Sequence, residues 1–591
     1  MSIKSLKDRY NQLTTLRDTY KPVWDRISKY VGIRVNTDYK ERETTESDRL
    51  DEYVKDPTAA LSVQQAGDYM MGIMWGTGEN AITVEPSDAL LEKVAEEDVR
   101  DWFKWMTDRT LFHVNHPQSG TNAALKSHNY DQFAFGTSGI GAYPNPQFKN
   151  RIEENALIMR SYGIDTIAID EGKSGLVDVI FVTYQWRTNR VVEEFALDAN
   201  GSIDKKKFAK LPLTVQKDYK GNQVNTEHKI VQAIYPREDY NPTLKGKKGS
   251  RYRGSWFKDE DGDNVFHEED YKVFPVAIAR AIKVRGEVYG RASGTILMGT
   301  IASVDFIVSE TFDILAKMQD PAMGVWNSAL FGDSVLDTSA NGLTVFNQEM
   351  IGGAKDPLFP IHDIGDPTGI ITFLIPYLNE KITTAFKIDV LLDFNAPGDR
   401  TATEMMQRAI IRGKNLAGML NQQKTELYDR WLDRCISLLW GMKVYGIDES
   451  EAPDIAEDLR RAERGERIIP EAVIECENQG IKWYKIRYNG ELDRLTKTEA
   501  LEKIMTCLNA VGSIATMYPQ IIEAINWYDM MVDVNKYLGI SYFKSEDEFK
   551  AIVDQQAQAQ KLAMAAEIQN TASGTANNMA NADKSRQEAQ A

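Results

Sequence analysis

Phe274-Pro-Val-Ala-Ile-Ala-Arg280, followed by Gly286-Glu-Val-Tyr-Gly-Arg291, marks the point where the character of this 591-residue chain changes. The first segment is a short apolar run with a proline near its start and an arginine at its end. That is the pattern of a buried strand whose opening tolerates a missing N–H. The second brackets Val-Tyr with glycines and reads as a turn. Before this point, residues 251–282 read as strands. After it, residues 292–318 form one long helical pattern.

Downstream, residues 320–375 are broken by Gly and Pro and carry strand-like pieces such as GLTVFNQEMI. Residues 376–393 read as a helix. A polar loop follows, Asn395-Ala-Pro-Gly-Asp-Arg400. Thr401-Ala-Thr-Glu404 has the form of a capping box, and it opens a very long helix over 402–442. Its apolar face is marked by Met406, Ile410, Ala417, Leu420, Leu427, Trp431, Cys435 and Leu438. Gly413 and Gly418 lie inside it at a cost of about 1 kcal/mol each relative to alanine, so a bend or close packing is expected there. Beyond a polar stretch (448–467), residues 470–488 look strand-like. Helices are expected at 497–514, 518–538 and 545–567, the last after the capping box Ser545-Glu-Asp-Glu548. The Ala/Asn/Gln-rich end, 568–591, has no aromatic residue and is expected to be disordered.

Upstream, residues 3–31 carry Leu13, Leu16, Tyr20, Trp24 and Ile27 at helical spacing. Asp56-Pro57 opens a second helix that runs to Trp75. The strand AITVEP and helices at 87–113 and 121–135 come next. Gly136-Thr-Ser-Gly-Ile-Gly-Ala-Tyr143 leads into strands. Residues 154–192 read as a meander with a turn at EGKSG, residues 205–220 as a polar connector, and residues 229–236 as a strand. The spacing predicts an α+β chain, mainly helical, in several packed regions, since 591 residues exceed what one core serves.

Charge argues against a tight grip on nucleic acid. The chain holds 70 basic and 87 acidic residues, whereas strong phosphate binding needs a basic surface. The three cysteines, Cys435, Cys476 and Cys507, are far apart, so no zinc ribbon or disulfide framework is indicated. No apolar run approaches the length of a membrane span, and the polar start MSIKSLKDRYNQL lacks the apolar core expected of a signal peptide.

Candidate chemistry fails on spacing. Gly172-Lys173-Ser174 is half of a phosphate-binding loop, but Ile167 stands where the first glycine is needed, and both flanks read as strands. Gly136, Gly139 and Gly141 follow a helix and precede a strand, the reverse of the dinucleotide-binding order. Asp259, Asp261 and Asp263 place Gly262 at the fourth position of a loop that needs glycine at the sixth for calcium; a solvated hairpin tip is the better account. His113 and His116 lack a third ligand. The lysines at 205–210 and 245–248 lack interleaved aromatics and read as exposed loops. No catalytic residue, cofactor site or metal site is therefore expected, and the chain is expected not to be an enzyme.

In order and content, residues 5–565 resemble the portal (head-to-tail connector) proteins of short-tailed bacteriophages. The features that carry the resemblance are Arg17-Asp-Thr-Tyr20 with Trp24 and Tyr30, Asp56-Pro-Thr-Ala-Ala before a Met-rich helix, Phe135–Tyr143, and the Pro-containing strand with its Tyr-Gly-Arg turn. Asp399-Arg-Thr-Ala-Thr-Glu404 before the long helix and the Ala/Gln-rich end complete the set. The resemblance implies a wing over 1–291, stem helices at 292–318 and 376–393, and a clip at 319–375. It further implies a channel loop at 394–401, a long kinked helix returning through the wing over 402–490, and crown helices over 491–567. Asp393, Asn395, Pro397, Gly398, Asp399 and Arg400 would face DNA, and Gly413 and Gly418 would mark the kink. The implied partners are eleven further copies in a twelve-subunit ring, double-stranded DNA in passage, the terminase large subunit, a tail adaptor, and capsid and scaffolding or inner-core proteins. The implied location is the virion, at a unique capsid vertex, after synthesis in the host cytoplasm. Two other readings are weighed: a shell or tail component, which would not need two long helices bracketing a small β insert, and a packaging motor, which would need the complete phosphate loop.

Overall fold

The computed structural model describes residues 3–31, 54–76, 81–149, 154–198, 201–241, 244, 246–259, 265–326, 337, 339, 342–346, 358–361, 366–386, 418–446, 468–489, 504, 506 and 507. The chain divides into two units, Met1–Leu492 and Asp493–Ala591. In the second, Ile504, Thr506 and Cys507 are helical, and Cys507 is exposed.

The first unit is α+β. Its largest sheet has five antiparallel strands in sequence order: β4 (Ile167–Glu171), β5 (Val177–Arg187), β6 (Glu227–Pro236), β7 (Tyr252–Lys258) and β8 (Val265–Tyr271). Both faces are covered, and the two-residue period of a strand sorts the side chains between them. Ala168, Val179, Phe181, Val231, Ala233 and Phe257 meet Leu6, Tyr10 and Leu13 of helix α1 (Ile3–Asp18). Ile169, Ile180, Val182, Tyr184, Ile234 and Trp256 belong to the main core on the other side.

That core also takes α2 (Lys21–Tyr30), α3 (Thr58–Met74), α4 (Glu96–Asn115) and α5 (Thr121–Phe135). α3 forms because Ala59, Val63, Ala66, Met70 and Ile73 recur on one helical face, and Asp56 accepts from Thr58 N–H at 2.9 Å where its first turn has free donors. A three-stranded antiparallel sheet runs β3 (Leu157–Tyr162), β2 (Thr137–Pro144), β9 (Val276–Arg280). β1 (Ile82–Pro86) pairs with β13 (Tyr484–Tyr488), some 400 residues away in sequence. A small sheet lies between two helices in the chain: β10 (Met323–Trp326) is flanked by a parallel β11 (Leu343–Phe346) and an antiparallel β12 (Leu358–Pro360). Those helices, α8 (Met298–Gln319) and α9 (Ile375–Ala385), pack against each other. Helix α10 (Asp429–Gly441) packs on β2 and β9 and is entered through a π turn at Lys424–Tyr428.

Four sequence expectations are corrected. Residues 3–31 are two helices, not one: α2 restarts at Lys21 with Pro22 in its first turn, and Leu16 lies exposed while Leu13, Trp24 and Ile27 are buried. The meander ends at Arg187, and residues 188–196 form an amphipathic helix, α6 (Thr188–Ala196), that buries Val191, Val192 and Phe195. The connector at 205–220 is helical: one turn at Lys205–Phe208, capped by Asp204 accepting from Lys206 N–H at 2.8 Å, then α7 (Leu213–Lys220). Residues 471–478 are a helix, α11 (Glu471–Asn478), with Val473 and Cys476 three apart on the buried face; only 484–488 is strand.

Candidate functional site

The expected loop residues Asp393, Asn395, Pro397, Gly398, Asp399 and Arg400, and Gly413, expected in the helix after them, lie outside the described residues. Gly418 opens the described part of that helix. It is exposed, and a Cβ there would meet nothing within 4 Å, so close packing does not account for it. The interruption in α-helical bonding falls six residues later, at the π turn. π turns often coincide with functional positions, and here the turn carries Glu426, a buried carboxylate.

Glu426 meets Arg280, the arginine that closes the Pro-containing strand. Arg280 is 1% exposed. Its backbone N–H donates to Glu426 Oε2 at 2.8 Å, its Nε to the same oxygen at 3.3 Å, and its Nη2 to Oε1 at 2.6 Å. Nη1 donates to Glu171 and, at 3.4 Å, to the Val288 carbonyl; Nη2 also reaches the Gly175 carbonyl at 2.9 Å. Gln422 Nε2 closes the set on the Arg280 carbonyl at 2.9 Å. The guanidinium thus ties four segments together: the end of β9, the β4–β5 hairpin, the Gly286–Arg291 turn and the π turn. A planar fork with five donors is the side chain that can do this. Gly172–Ser174, the half phosphate loop, is that hairpin turn, with Gly172 N–H donating to the Leu176 carbonyl at 2.9 Å.

The turn itself is packed backbone to backbone. Tyr289 is buried against Trp24 and Tyr20, with ring centroids 5.5 and 5.3 Å away. Gly290 lies on Gly136, the residue between α5 and β2, which holds φ +91°. Gly290 N–H donates to Thr137 Oγ1 at 2.8 Å, and Ala281 N–H to the Gly136 carbonyl at 2.9 Å. The two glycine motifs of the sequence are one contact in space.

The other unusual feature is apolar surface. Phe306 (63% exposed) and Phe312 (57%) project from α8, and Phe373 (77%) and Tyr377 (54%) from the segment that contains α9. Large side chains rarely stand this free unless something covers them.

Among the described residues, no three His, Cys, Asp or Glu side chains come together as a metal would require, and no helix is long and apolar enough to cross a membrane. His113 and His128 are buried instead. Burial, with Arg109 and His116 close by, takes His113 down to about 3; burial alone takes His128 to about 3, and neither of its ring nitrogens finds a hydrogen-bond partner. An unfolded histidine titrates near 6.5, so between those values the unfolded chain binds more protons and stability falls as pH falls. From pH 6.5 to 5 each histidine is expected to remove about 2 kcal/mol. Urea midpoints at pH 7 and 5 should show the loss, and His128→Leu should remove its share; a pH profile unaltered by that change would refute the assignment.

Residues 3–443, well over half of the chain, match the family model described as bacteriophage head to tail connecting protein. The class is thus that of structural proteins that join a virion head to its tail. The chain belongs to this family. It is 22% identical to the probable portal protein of Bordetella phage BPP-1 over 592 aligned positions, covering 99% of this chain and 97% of that one. Among solved structures it is similar to chains from the virion of a native gene transfer agent particle (12% identity, 70% of this chain and 94% of that one, TM-score 0.26) and from the neck of the native particle computed with C12 symmetry (10% identity, 70% and 95%, TM-score 0.28). Overlap at that level fixes no detail of the arrangement.

Proposed function

We propose that the chain is the portal subunit of a short-tailed phage: one of twelve copies in a ring that passes double-stranded DNA, docks the terminase large subunit and a tail adaptor, and catalyses no reaction itself. The observation that carries the reading is the paired helices α8 and α9, each with large aromatic side chains in solvent. No described residue of the same chain covers them, whereas the same pair in a neighbouring copy would. The small sheet β10–β12 between the two helices in the chain supports reading that segment as a clip, and the acidic balance of the chain suits a wall that must not hold DNA.

Electron microscopy and sizing of the purified chain test this. Closed rings with an axial hole are expected, with no ATP turnover that depends on Lys173. Each phenylalanine buried between copies contributes about 1.5–3 kcal/mol, so Phe306→Asp with Phe312→Asp should leave folded chains that no longer close rings. Rings of normal number and stability from that variant would refute the contact.

A further inference from the structure

The helical lobe over residues 201–221 concentrates positive charge on an acidic chain. It carries Lys205, Lys206, Lys207, Lys210, Lys217 and Lys220, all exposed, against two acids that are engaged elsewhere: Asp204 caps the lobe's first helical turn, and Asp218 faces His228. None of the six lysines ion-pairs with a described carboxylate; Lys207 donates to the Leu197 carbonyl, and Lys220 lies over the Phe208 ring. The lobe is built, not loose. Leu211 and Val215 are buried, Phe208 and Tyr219 pack ring on ring at 5.6 Å, and α7 rests on α6. Six ammonium groups against two carboxylates leave the lobe an excess of four positive charges with no ion pair between them, which raises a local positive potential.

We infer that this lobe docks on the acidic face of a second copy of the same chain, at the corner formed by the start of α4 and the start of α11. The inference rests on the ring reading above. A ring needs two unlike, complementary patches on one chain, because a head-to-tail contact pairs different surfaces. The chain supplies the complement. Glu92, Glu96, Asp98 and Glu471 are exposed and ion-pair with no described residue, and α11 packs on the one-turn helix Asp88–Leu91 just before them. Apolar surface favours a protein over a polyanion. Leu213 is 69% exposed within the lysine field, and Ile468 is exposed beside Glu471. A phosphate backbone offers Leu213 nothing to pack on; another copy does.

The test is a charge swap in the full chain, read by sizing across a salt series. Lys205→Glu, Lys206→Glu, Lys210→Glu and Lys217→Glu change exposed side chains that neither hydrogen-bond nor ion-pair with a described residue, so far-UV dichroism and melting should stay as in the parent. Assembly at about 0.1 M salt should weaken at least about tenfold, and the parent's own assembly should weaken with salt. Glutamine at the same four positions gives a smaller loss, and it keeps the test valid if the reversed chain misfolds. Adding Glu92→Lys, Glu96→Lys, Asp98→Lys and Glu471→Lys to the reversed chain should restore rings to near the parent level. Unchanged assembly and salt response overturn the inference and leave the ring reading intact. Assembly lost but not restored by the swap overturns the acidic corner as the counter-surface. Rings unaffected while retention of duplex DNA is lost would assign the lobe to phosphate instead. A parent that forms no ring at all removes the ring reading, and this inference with it.

Discussion

Arg280→Ala is expected to cost the first unit about 3–5 kcal/mol, the loss found when one partner of a buried charge pair is removed. The reason is what remains behind. Glu426 is buried in the π turn, and without the Arg280 side chain its carboxylate has lost two donated hydrogen bonds in a place water does not reach. Only the backbone N–H of residue 280 still points at it. The Val288 carbonyl loses the Arg280 donor too, and the Gly175 carbonyl keeps only Lys283 Nζ, at 2.6 Å. Typical domains have about 5–15 kcal/mol in hand, so the variant should melt far below the parent or fail to accumulate. Arg280→Lys should rescue little, because three donors on one point cannot serve four segments. Arg280→Met with Glu426→Met should be milder than the sum of the single changes, since no charge is then stranded. Urea unfolding of the four chains gives the coupling directly; a loss below about 1 kcal/mol for Arg280→Ala would show that the cluster is not what holds these segments.

How far the sequence disclosed this depends on distance along the chain. The strand at 276–280 was legible because all five of its residues are buried, which leaves an unbroken apolar run. The turn after it was legible from its glycines. That Arg280 is the centre of the junction was not, because Glu171 and Glu426 lie 109 and 146 residues away and nothing local distinguishes them from surface carboxylates. Of the long helix, the part from residue 418 was legible from its apolar face: Leu420, Leu427, Trp431 and Cys435 are all buried, whereas the π turn inside it leaves no mark in a periodic pattern. Residues 205–220 were misread because only Leu211 and Val215 are buried there, too few to show a period among the lysines. α11 was misread for the same reason: eight residues with two buried positions do not separate a helix from a strand. His128 looks like an ordinary polar position on α5, and its burial comes from other elements closing over that face. The loop residues chosen as DNA-facing came from a resemblance, not from a physical signal, and they fall outside the described residues.

Gly136→Ala and Gly290→Ala are each expected to destabilise this unit strongly. At Gly136 two costs combine. The residue holds φ +91°, where a side chain is strained, and an added Cβ would lie 2.4 Å from the Gly290 carbonyl oxygen and 2.7 Å from Ala292 N. At Gly290 the conformation is ordinary, but the Cβ would meet the Gly136 carbonyl at 2.5 Å and the Arg280 Cβ at 2.7 Å. All but the last of these neighbours are backbone, and backbone is held by the strands on either side, so the strain cannot be relieved by a rotamer. Gly286 supplies the control. It also has a positive φ, +85°, but nothing lies within 4 Å of its Cβ position. Gly286→Ala should therefore show the conformational cost alone, about 1–2 kcal/mol, while Gly136→Ala adds the collision and exceeds about 4 kcal/mol, the range reserved for broken packing or stored strain. Gly290→Ala isolates the collision. Melting temperatures of the three variants should fall in the order Gly286, Gly290, Gly136. If Gly136→Ala melts no lower than Gly286→Ala, the two glycines do not form the tight contact, and the glycines of the two motifs have separate reasons.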